Sequence, residues 1–596
     1  MKEILSGNEA IARGAWEAGV RLAAAYPGTP STEILQTIST YPEIYSEWSP
    51  NEKVALEVGL GAAIAGARVL VAMKHVGVNV AADPLLTASY TGVKGGLVLV
   101  TADDPAMHSS QNEQDNRHYA RFAKIPLLEP SDSQEAKDLV LLAFDLSEEF
   151  DTPVLLRTTT RVSHSKSLVD LGGRPELAPL TTLDKDAPKY TMLPGYAKIK
   201  HPKVEQRLRD LSERAETLAC NRIEMGDPAV GIIATGAAYT YAREAFPEAS
   251  FLRLGMTYPL PRRLIAEFRT KVQKLYVVEE LDPFLEEQIR LMGVTVDGGK
   301  DLLPICGEFE PGLIARTLTA AGAPGATAAL LAEPTPEAAG LPQRPPTLCA
   351  GCSHRGVFTV LKRLRVFVSG DIGCYTLGAL APISAMHSCV CMGAGIGMAH
   401  GIAKVMESGG DIKNRAVAVI GDSTFFHSGI TPLMNSIWNN SSTVTIILDN
   451  RITAMTGGQE NPGSGHTLSG VDAPEVDLVK LVQALGVRRV TTIDPYDLKN
   501  TERVLREEIA TDEPSVIIAK APCVLQFNVR NDPWVVDAEA CTGCKRCLRV
   551  GCIALNMVQN GDDIKVEIDP TQCNGCGVCA QMCNFDAIRA PVPVEA

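Results

Sequence analysis

The sequence predicts an α/β protein built on parallel sheets, with a cysteine-rich tail that holds metal. Three observations predict it. Short apolar runs such as GLVLV (96–100) and PVLL (153–156) alternate with Ala-rich helical stretches through the first 165 residues, the pattern of a parallel sheet covered by helices. The alternation returns after residue 228 and again after residue 347. Eight of the sixteen cysteines fall between Cys541 and Cys583. The 596-residue chain has room for several domains, each typically of roughly 100–200 residues. Its net charge of −14 argues against a nucleic-acid or anionic-membrane binder, which carries a basic excess. The best candidate for a membrane span, 54–73, is interrupted by Glu57 and Arg68, so none is expected. The opening MKEILSGNEA lacks the apolar run and cleavage site of a signal peptide, which predicts a cytoplasmic protein.

In chain order, residues 1–165 read as a first α/β domain. Residues 166–227 are charged and punctuated by proline, and read as a connecting segment. A second α/β unit spans 228–320, with AVGIIATGAAY as a buried strand ending in a glycine turn and KLYVVEEL (274–281) as another. The Ala/Gly/Pro-rich stretch 321–346 reads as a linker. Residues 347–525 form a third α/β unit with strands AVAVIG (416–421), TVTIIL (443–448) and SVIIA (515–519). The tail occupies 530–596.

The tail cysteines form two runs, Cys541-x2-Cys544-x2-Cys547-x4-Cys552 and Cys573-x2-Cys576-x2-Cys579-x3-Cys583. Disulfides need an oxidising compartment, so metal is the better reading. Zinc needs only pairs, and each run is a triple plus one. Three closely spaced cysteines wrap three corners of an iron–sulfur cube, and in two-cluster ferredoxins the fourth ligates the other cluster. Cys541, Cys544, Cys547 and Cys583 are therefore expected to hold one [4Fe–4S] cluster, and Cys552, Cys573, Cys576 and Cys579 a second. The runs resemble a bacterial-type two-cluster ferredoxin. They depart from it in the x4 spacing and in Ile553 and Asn584, which stand where proline would follow.

In the third unit, AVAVIG ends in Gly421-Asp422-Ser423 and TVTIIL ends in Asp449-Asn450. Neighbouring parallel strands would present these oxygens at their carboxyl ends, where α/β sheets bind ligands. Hard oxygens beside phosphate suit Mg²⁺. Gly393 and Gly395, in MGAGIGMAHG (392–401), precede a helix and could offer N–H groups to a diphosphate. A Rossmann nucleotide site is the rival, but Met398 stands where its last glycine belongs. Plain strand-end turns are the other alternative.

GDS followed by Asn450, 29 residues after Gly421, resembles the thiamine diphosphate motif GDG…NN. In that family the Asp, the final Asn and a backbone carbonyl two residues on hold Mg²⁺, which the resemblance carries onto Asp422, Asn450 and Ile452, with Gly421 and Ser423 beside the cofactor. Ser423 and Asp449 depart from the motif without removing a ligand. DNRITAMTGGQ (449–459), LCAGCSHRG (348–356) and DIGCYTLG (371–378) extend the likeness. Together they resemble the large subunits of indolepyruvate:ferredoxin oxidoreductases, within the thiamine diphosphate-dependent 2-oxoacid:ferredoxin oxidoreductases, over nearly the whole chain. The resemblance implies two thiamine-diphosphate-binding-type domains: 1–165 of the pyrimidine-binding type and 347–525 holding diphosphate and Mg²⁺. Residues 228–320 resemble the C-terminal domain of transketolase, and 530–596 form the two-cluster ferredoxin-like module.

The same resemblance makes Glu52, at the start of EKVALEVGLGAAIAGAR, the carboxylate that bonds the cofactor's aminopyrimidine ring. Glu57 is its competitor, and a first-turn acid favoured by the helix dipole is the plainer alternative. Thr29, in AYPGTPSTE (25–33), maps onto a threonine beside the substrate. Arg117, six residues after Gln111, maps onto a substrate loop, where a bidentate guanidinium would hold a carboxylate; a surface arginine is the plainer reading. His75, His108 and His118 in these loops read as structural. Cys349, Cys352, Cys374 and Cys523 match positions that hold a cluster near the thiamine in single-module relatives, implying a third [4Fe–4S]. Otherwise they are small buried hydrophobes, as is expected of Cys220, Cys306, Cys389 and Cys391.

The implied activity is oxidative decarboxylation of an arylpyruvate, indole-3-pyruvate, with coenzyme A to the aryl-acetyl-CoA, CO₂ and reduced ferredoxin. A smaller β subunit in an α2β2 heteromer is implied with it. The alternatives are a non-oxidative thiamine-dependent 2-oxoacid decarboxylase with structural clusters, and an electron-transfer partner with a vestigial α/β body. Lys545, Arg546 and Arg549 flank the first Cys run and predict a docking patch for an acidic ferredoxin.

Overall fold

A computed structural model describes the chain except for residues 181, 182, 184, 333–340, 343, 410–415, 561, 562 and 592–596. Much of the expected linker, and the end of the tail, thus lie outside the described residues. The chain forms two compact units, Met1–Ala339 and Gly340–Ala596.

The first unit is built on a seven-stranded sheet in the order Met256–Tyr258, Leu127–Leu128, Val154–Thr159, Leu97–Asp103, Val69–Lys74, Leu22–Ala25, Tyr45–Trp48. All pairs are parallel except the first. LVLVTAD and VLLRTT are buried at every residue, as strands covered on both faces must be. A second sheet runs Lys274–Val278, Asp227–Ala234, Ala249–Arg253, Arg222–Glu224. Ile233, Leu252 and Leu275 of this sheet share one core with Val71, Leu99 and Leu155 of the first. The segment read as a connector contributes structure of its own. Lys166–Asp170 pairs with Lys2–Ser6, and Pro194–Ala215 is a helix burying Val204, Leu211 and Ala215 along one face.

The second unit carries an all-parallel sheet in the order Phe367–Ser369, Ala416–Gly421, Val444–Asp449, Ser515–Lys520, Arg489–Ile493. Its three middle strands coincide with the apolar runs that predicted them. The tail adds two short ladders, Val535–Val536 with Ile588–Arg589 and Leu555–Asn560 with Asp563–Ile568. Cys541, Cys547, Val550, Val566 and Ile588 lie in the same core as Val357, Phe358 and Leu361 of helix His354–Leu364. The tail is therefore fused to the five-stranded parallel-sheet domain through a common core, because so small a segment has little apolar surface to enclose by itself. Among the described residues no helix is long and apolar enough to cross a membrane.

Candidate cofactor and cluster sites

The parallel register sets Gly421 against Leu448, so Asp422 and Asp449 emerge side by side and Asn450 follows one residue later. Asp422 and Asn450 are both buried. Ser423 donates its N–H to Asp422 Oδ1 at 2.8 Å, and Ile452 donates its N–H to Asn450 Oδ1 at 3.3 Å. The other oxygen, Asp422 Oδ2, is buried with no hydrogen-bond partner among the described residues. Burial, reinforced by Asp449, pushes the Asp422 pKa up to about 7. A bare, buried carboxylate oxygen near a second carboxylate and an amide is costly unless a cation completes it. The oxygen donors fit Mg²⁺. Ser423, the departure from the motif, contributes its hydroxyl, 2.8 Å from Thr453 Oγ1, and so ties this strand end to the turn after Asn450. Gly421 is required for space: a Cβ there would lie 2.7 Å from the ring of buried Tyr375.

Gly393 and Gly395 correct their expectation. Both N–H groups donate at 2.9 Å to the carboxylate of fully buried Asp371, so they are engaged within the protein rather than open to a diphosphate. Asp371 went unnoticed in the sequence although it heads DIGC. Gly393 itself has φ +84°, and a Cβ would collide with Ser428.

Cys349, Cys352, Cys374 and Cys523 converge. Burial raises the pKa of Cys349, that of Cys352 to about 12 and that of Cys374 to about 11, with Cys523 adding to the first, Cys374 and Cys349 to the second, and Cys523 and Cys349 to the third. Such mutual repulsion between thiolates requires that they share one locality, and a metal cluster would relieve it. Cys523 donates its N–H to the Asn450 carbonyl at 3.1 Å, which fixes this locality to the strand end bearing Asn450.

Among the tail cysteines, Cys541, Cys544, Cys547 and Cys583 line one cavity, and Cys552, Cys573, Cys576 and Cys579 line another. Ala350 and Gly351, which lie between Cys349 and Cys352, line the second cavity as well. Tyr496 donates its hydroxyl to the Gly351 carbonyl at 2.8 Å. Its pKa is raised by burial and by Cys576, Cys352 and Cys523, so it stands between the two sets. The first cavity lies at the outside: Cys544, Lys545 and Arg546 are exposed. Cys306 and Cys391 are exposed too, and so are not the buried hydrophobes that were expected.

In the first unit Glu52 opens helix Glu52–Ile64, capped by the Asn51 side chain, which accepts the Val54 N–H at 2.9 Å. Glu52 is 5% exposed. Its carboxylate lies over Gly77, where a Cβ would come 2.7 Å from Oε1. Glu57 is exposed and paired with Lys53 on the outer face. Of the two competitors only Glu52 faces the interior. Thr29 is half-buried in the turn after strand Leu22–Ala25, where Gly28 donates its N–H to Thr32 Oγ1 at 2.9 Å.

Arg117 corrects its expectation. It is 1% exposed and spends its guanidinium on Asp115, on Glu279 at 2.6 Å, and on the carbonyls of Glu280 and Asp282. A guanidinium so engaged joins the two sheets of the unit and is not offered to a substrate. Its partners lie some 160 positions away in sequence, which no local pattern could reveal. His108 and His118 are exposed and pair with Glu308 and Asp282. His75 is fully buried.

Comparisons with known proteins agree with this arrangement. Residues 13–211 match the family described as "Pyruvate flavodoxin/ferredoxin oxidoreductase, thiamine diP-bdg". Residues 371–519 match "Thiamine pyrophosphate enzyme, C-terminal TPP binding domain", and 566–589 match "4Fe-4S binding domain". The chain is 41% identical to the indolepyruvate oxidoreductase subunit IorA of Methanothermobacter thermautotrophicus, over 99% of this chain and 97% of that protein. Identity to the IorA of Archaeoglobus fulgidus is also 41%, and to that of Pyrococcus horikoshii 39%, with the same coverage.

Proposed function

The chain belongs to the family of the indolepyruvate oxidoreductase subunit IorA, and from that membership we propose its substrate, its clusters and its partners. The enzyme is a thiamine diphosphate-dependent 2-oxoacid:ferredoxin oxidoreductase. The 2-oxo acid we propose is an arylpyruvate, indole-3-pyruvate. In one turnover the bond between its carboxyl and keto carbons breaks to release CO₂, a bond forms between the acyl carbon and the sulfur of coenzyme A, and the thiol proton is released. Two electrons leave, one to each of two ferredoxins. The name its relatives carry, that of a subunit, supports a smaller second subunit in an α2β2 heteromer.

Bound thiamine supplies an electron sink for the cleaved carbon. Asp422, Asn450 and the Ile452 carbonyl would hold Mg²⁺, with Gly421 and Ser423 against the diphosphate. Glu52, buried at a helix start, would hold a proton against the aminopyrimidine ring, and Thr29 would border the substrate. Cys349, Cys352, Cys374 and Cys523 would hold a third [4Fe–4S] cluster beside those of the Cys552/Cys573/Cys576/Cys579 and Cys541/Cys544/Cys547/Cys583 sets, and the three would supply one-electron carriers.

The observation that carries this reading is the succession of three cysteine sets from the strand end at Asn450 to exposed Cys544. A decarboxylase that passes no electrons has no use for such a succession. The test is ferredoxin reduction by the assembled enzyme with indolepyruvate, phenylpyruvate and pyruvate in the presence of coenzyme A. Fastest reduction with the aryl acids is expected. Aldehyde release at full rate without acceptor reduction would overturn the reading. Iron analysis should give about twelve irons per chain for three clusters, against about eight for two. A fully loaded chain at eight, with an unaltered spectrum in Cys349→Ala, would remove the third.

A further inference from the structure

With Arg117 spent inside the protein, the arylpyruvate carboxylate lacks its expected anchor. We infer that Lys74 holds it. The inference rests on the 2-oxoacid reading above and names a residue of that same site.

Lys74 is the last residue of the interior strand Val69–Lys74 and is 8% exposed. It makes no ion pair among the described residues. Its Nζ donates to the Ser109 carbonyl at 2.8 Å. Asp104, the acid that acts on it, is already held by the Ser109 N–H at 2.8 Å, by Ser110 Oγ at 2.5 Å and by Thr160 Oγ1 at 2.7 Å. The neighbouring His75 cannot balance the charge. Burial and Lys74 push its pKa down to about 4, so the ring is neutral and supplies no anion to the ammonium. An ammonium taken out of water is expensive, and Asp104 offsets that cost only in part. Burial lowers the Lys74 pKa to about 8, so it is still charged at neutral pH. A charge kept at this cost at a sheet's carboxyl end is the pattern of a group completed by its ligand.

Its position agrees with that role. Strand Val69–Lys74 pairs in parallel with Leu22–Ala25, whose following turn carries Thr29. A Cβ on Gly28 would lie 2.9 Å from the Lys74 Cβ, so the two segments touch. Glu52 lies over Gly77, three residues beyond Lys74. Thr29, Glu52 and Lys74 thus gather at the carboxyl end of one parallel sheet, where such sheets bind ligands. The anion could also come from a phosphate of coenzyme A or of thiamine diphosphate, and separate measurements tell them apart.

The test uses the holoenzyme with Lys74→Met, Lys74→Gln and the charge-retaining Lys74→Arg. Loss of the pair should raise KM for the 2-oxo acid about tenfold or more, with a smaller change in kcat, because the carboxylate carries its charge in the bound substrate and loses it as CO₂ departs. KM for coenzyme A, thiamine diphosphate content and the cluster spectrum should stay at wild-type values, and Lys74→Arg should recover most of the affinity. The uncharged amide of the arylpyruvate should inhibit wild type and Lys74→Gln equally. Unchanged KM in Lys74→Gln, or an effect confined to coenzyme A or to thiamine content, overturns the inference and leaves the 2-oxoacid reading standing. Absence of ferredoxin reduction by the wild type with every 2-oxo acid would instead sink that reading.

Discussion

Lys74→Met should stabilise the ligand-free protein while weakening substrate binding. Burial holds the Lys74 pKa at about 8 against an ordinary 10.5. At about 1.4 kcal/mol per pH unit, this difference makes the charged lysine cost the fold about 3 kcal/mol. The sign follows from the folded pKa lying below the unfolded one. The unfolded chain holds the proton more tightly, so the penalty is complete below pH 8, fades between pH 8 and 10.5, and is gone above. Methionine keeps most of the apolar stem and carries no charge. The gain should therefore be about 3 kcal/mol at pH 7 and about 1 kcal/mol at pH 9.5. Pulse proteolysis across a urea series at both pH values, with the surviving fragments of Met1–Ala339 identified by mass, measures it. An equal gain at the two pH values would show that packing rather than charge is responsible. A loss of stability at pH 7 would refute the premise that burial of the ammonium outweighs what Asp104 returns.

Asp422→Ala and Asn450→Ala should each lose thiamine diphosphate at ordinary Mg²⁺, since the small ion does not readily replace an oxygen ligand; calorimetric titration that finds wild-type affinity in both would remove the site. Glu52→Gln should bind the cofactor but fail to exchange its thiazolium C2 proton, while Glu57→Gln, altering an exposed side chain, should exchange normally by NMR; the reverse result would transfer the role to Glu57. Charge reversal at exposed Lys545, Arg546 and Arg549 should raise the ferredoxin KM, most strongly at low salt, and spare reduction of a small dye. Equal effects on both acceptors would show that the cluster, not docking, was changed.

What the sequence discloses is what local patterns encode. Val69–Lys74, Leu97–Asp103 and Val444–Asp449 are buried on both faces, and such strands appear as uninterrupted apolar runs. The tail cysteines stand out by their ligand spacing, whereas the strand-end positions of Asp422 and Asn450 took on a metal role only through a motif resemblance. The features that escaped depend on partners far along the chain. Arg117 is buried because Glu279 and the carbonyls of 280 and 282 come from another sheet. Gly393 and Gly395 lose their free N–H groups to Asp371, more than twenty residues before them. Lys74 reads as an ordinary strand-end lysine until the turn at Gly28 closes over it. Charge and hydrogen-bond satisfaction are properties of the assembled neighbourhood, and a motif names a residue without saying what has already claimed it.

The fusion of the tail to its neighbour has a physical consequence for electron transfer. Transfer between clusters depends steeply on distance, and a module on a flexible tether would sample many distances. Arg355, almost fully buried, donates to the carbonyls of Leu348 and Cys349 at 2.7 and 2.9 Å and to that of Val550 at 2.6 Å. One guanidinium thereby joins the Cys349/Cys352 loop to the segment between Cys547 and Cys552. Tyr496 adds a second tie at Gly351, and Gln581 a third, donating to the Tyr496 carbonyl at 2.7 Å. The Arg355 and Tyr496 ties use backbone carbonyls of cysteine-bearing loops, so those loops cannot separate without leaving polar groups unpaired, at about 1–3 kcal/mol for each buried group left unsatisfied. The spacing of the cysteine sets is accordingly set by the core of the second unit. Substitutions in helix His354–Leu364 that never touch a cysteine should alter electron transfer through the tail by the same route.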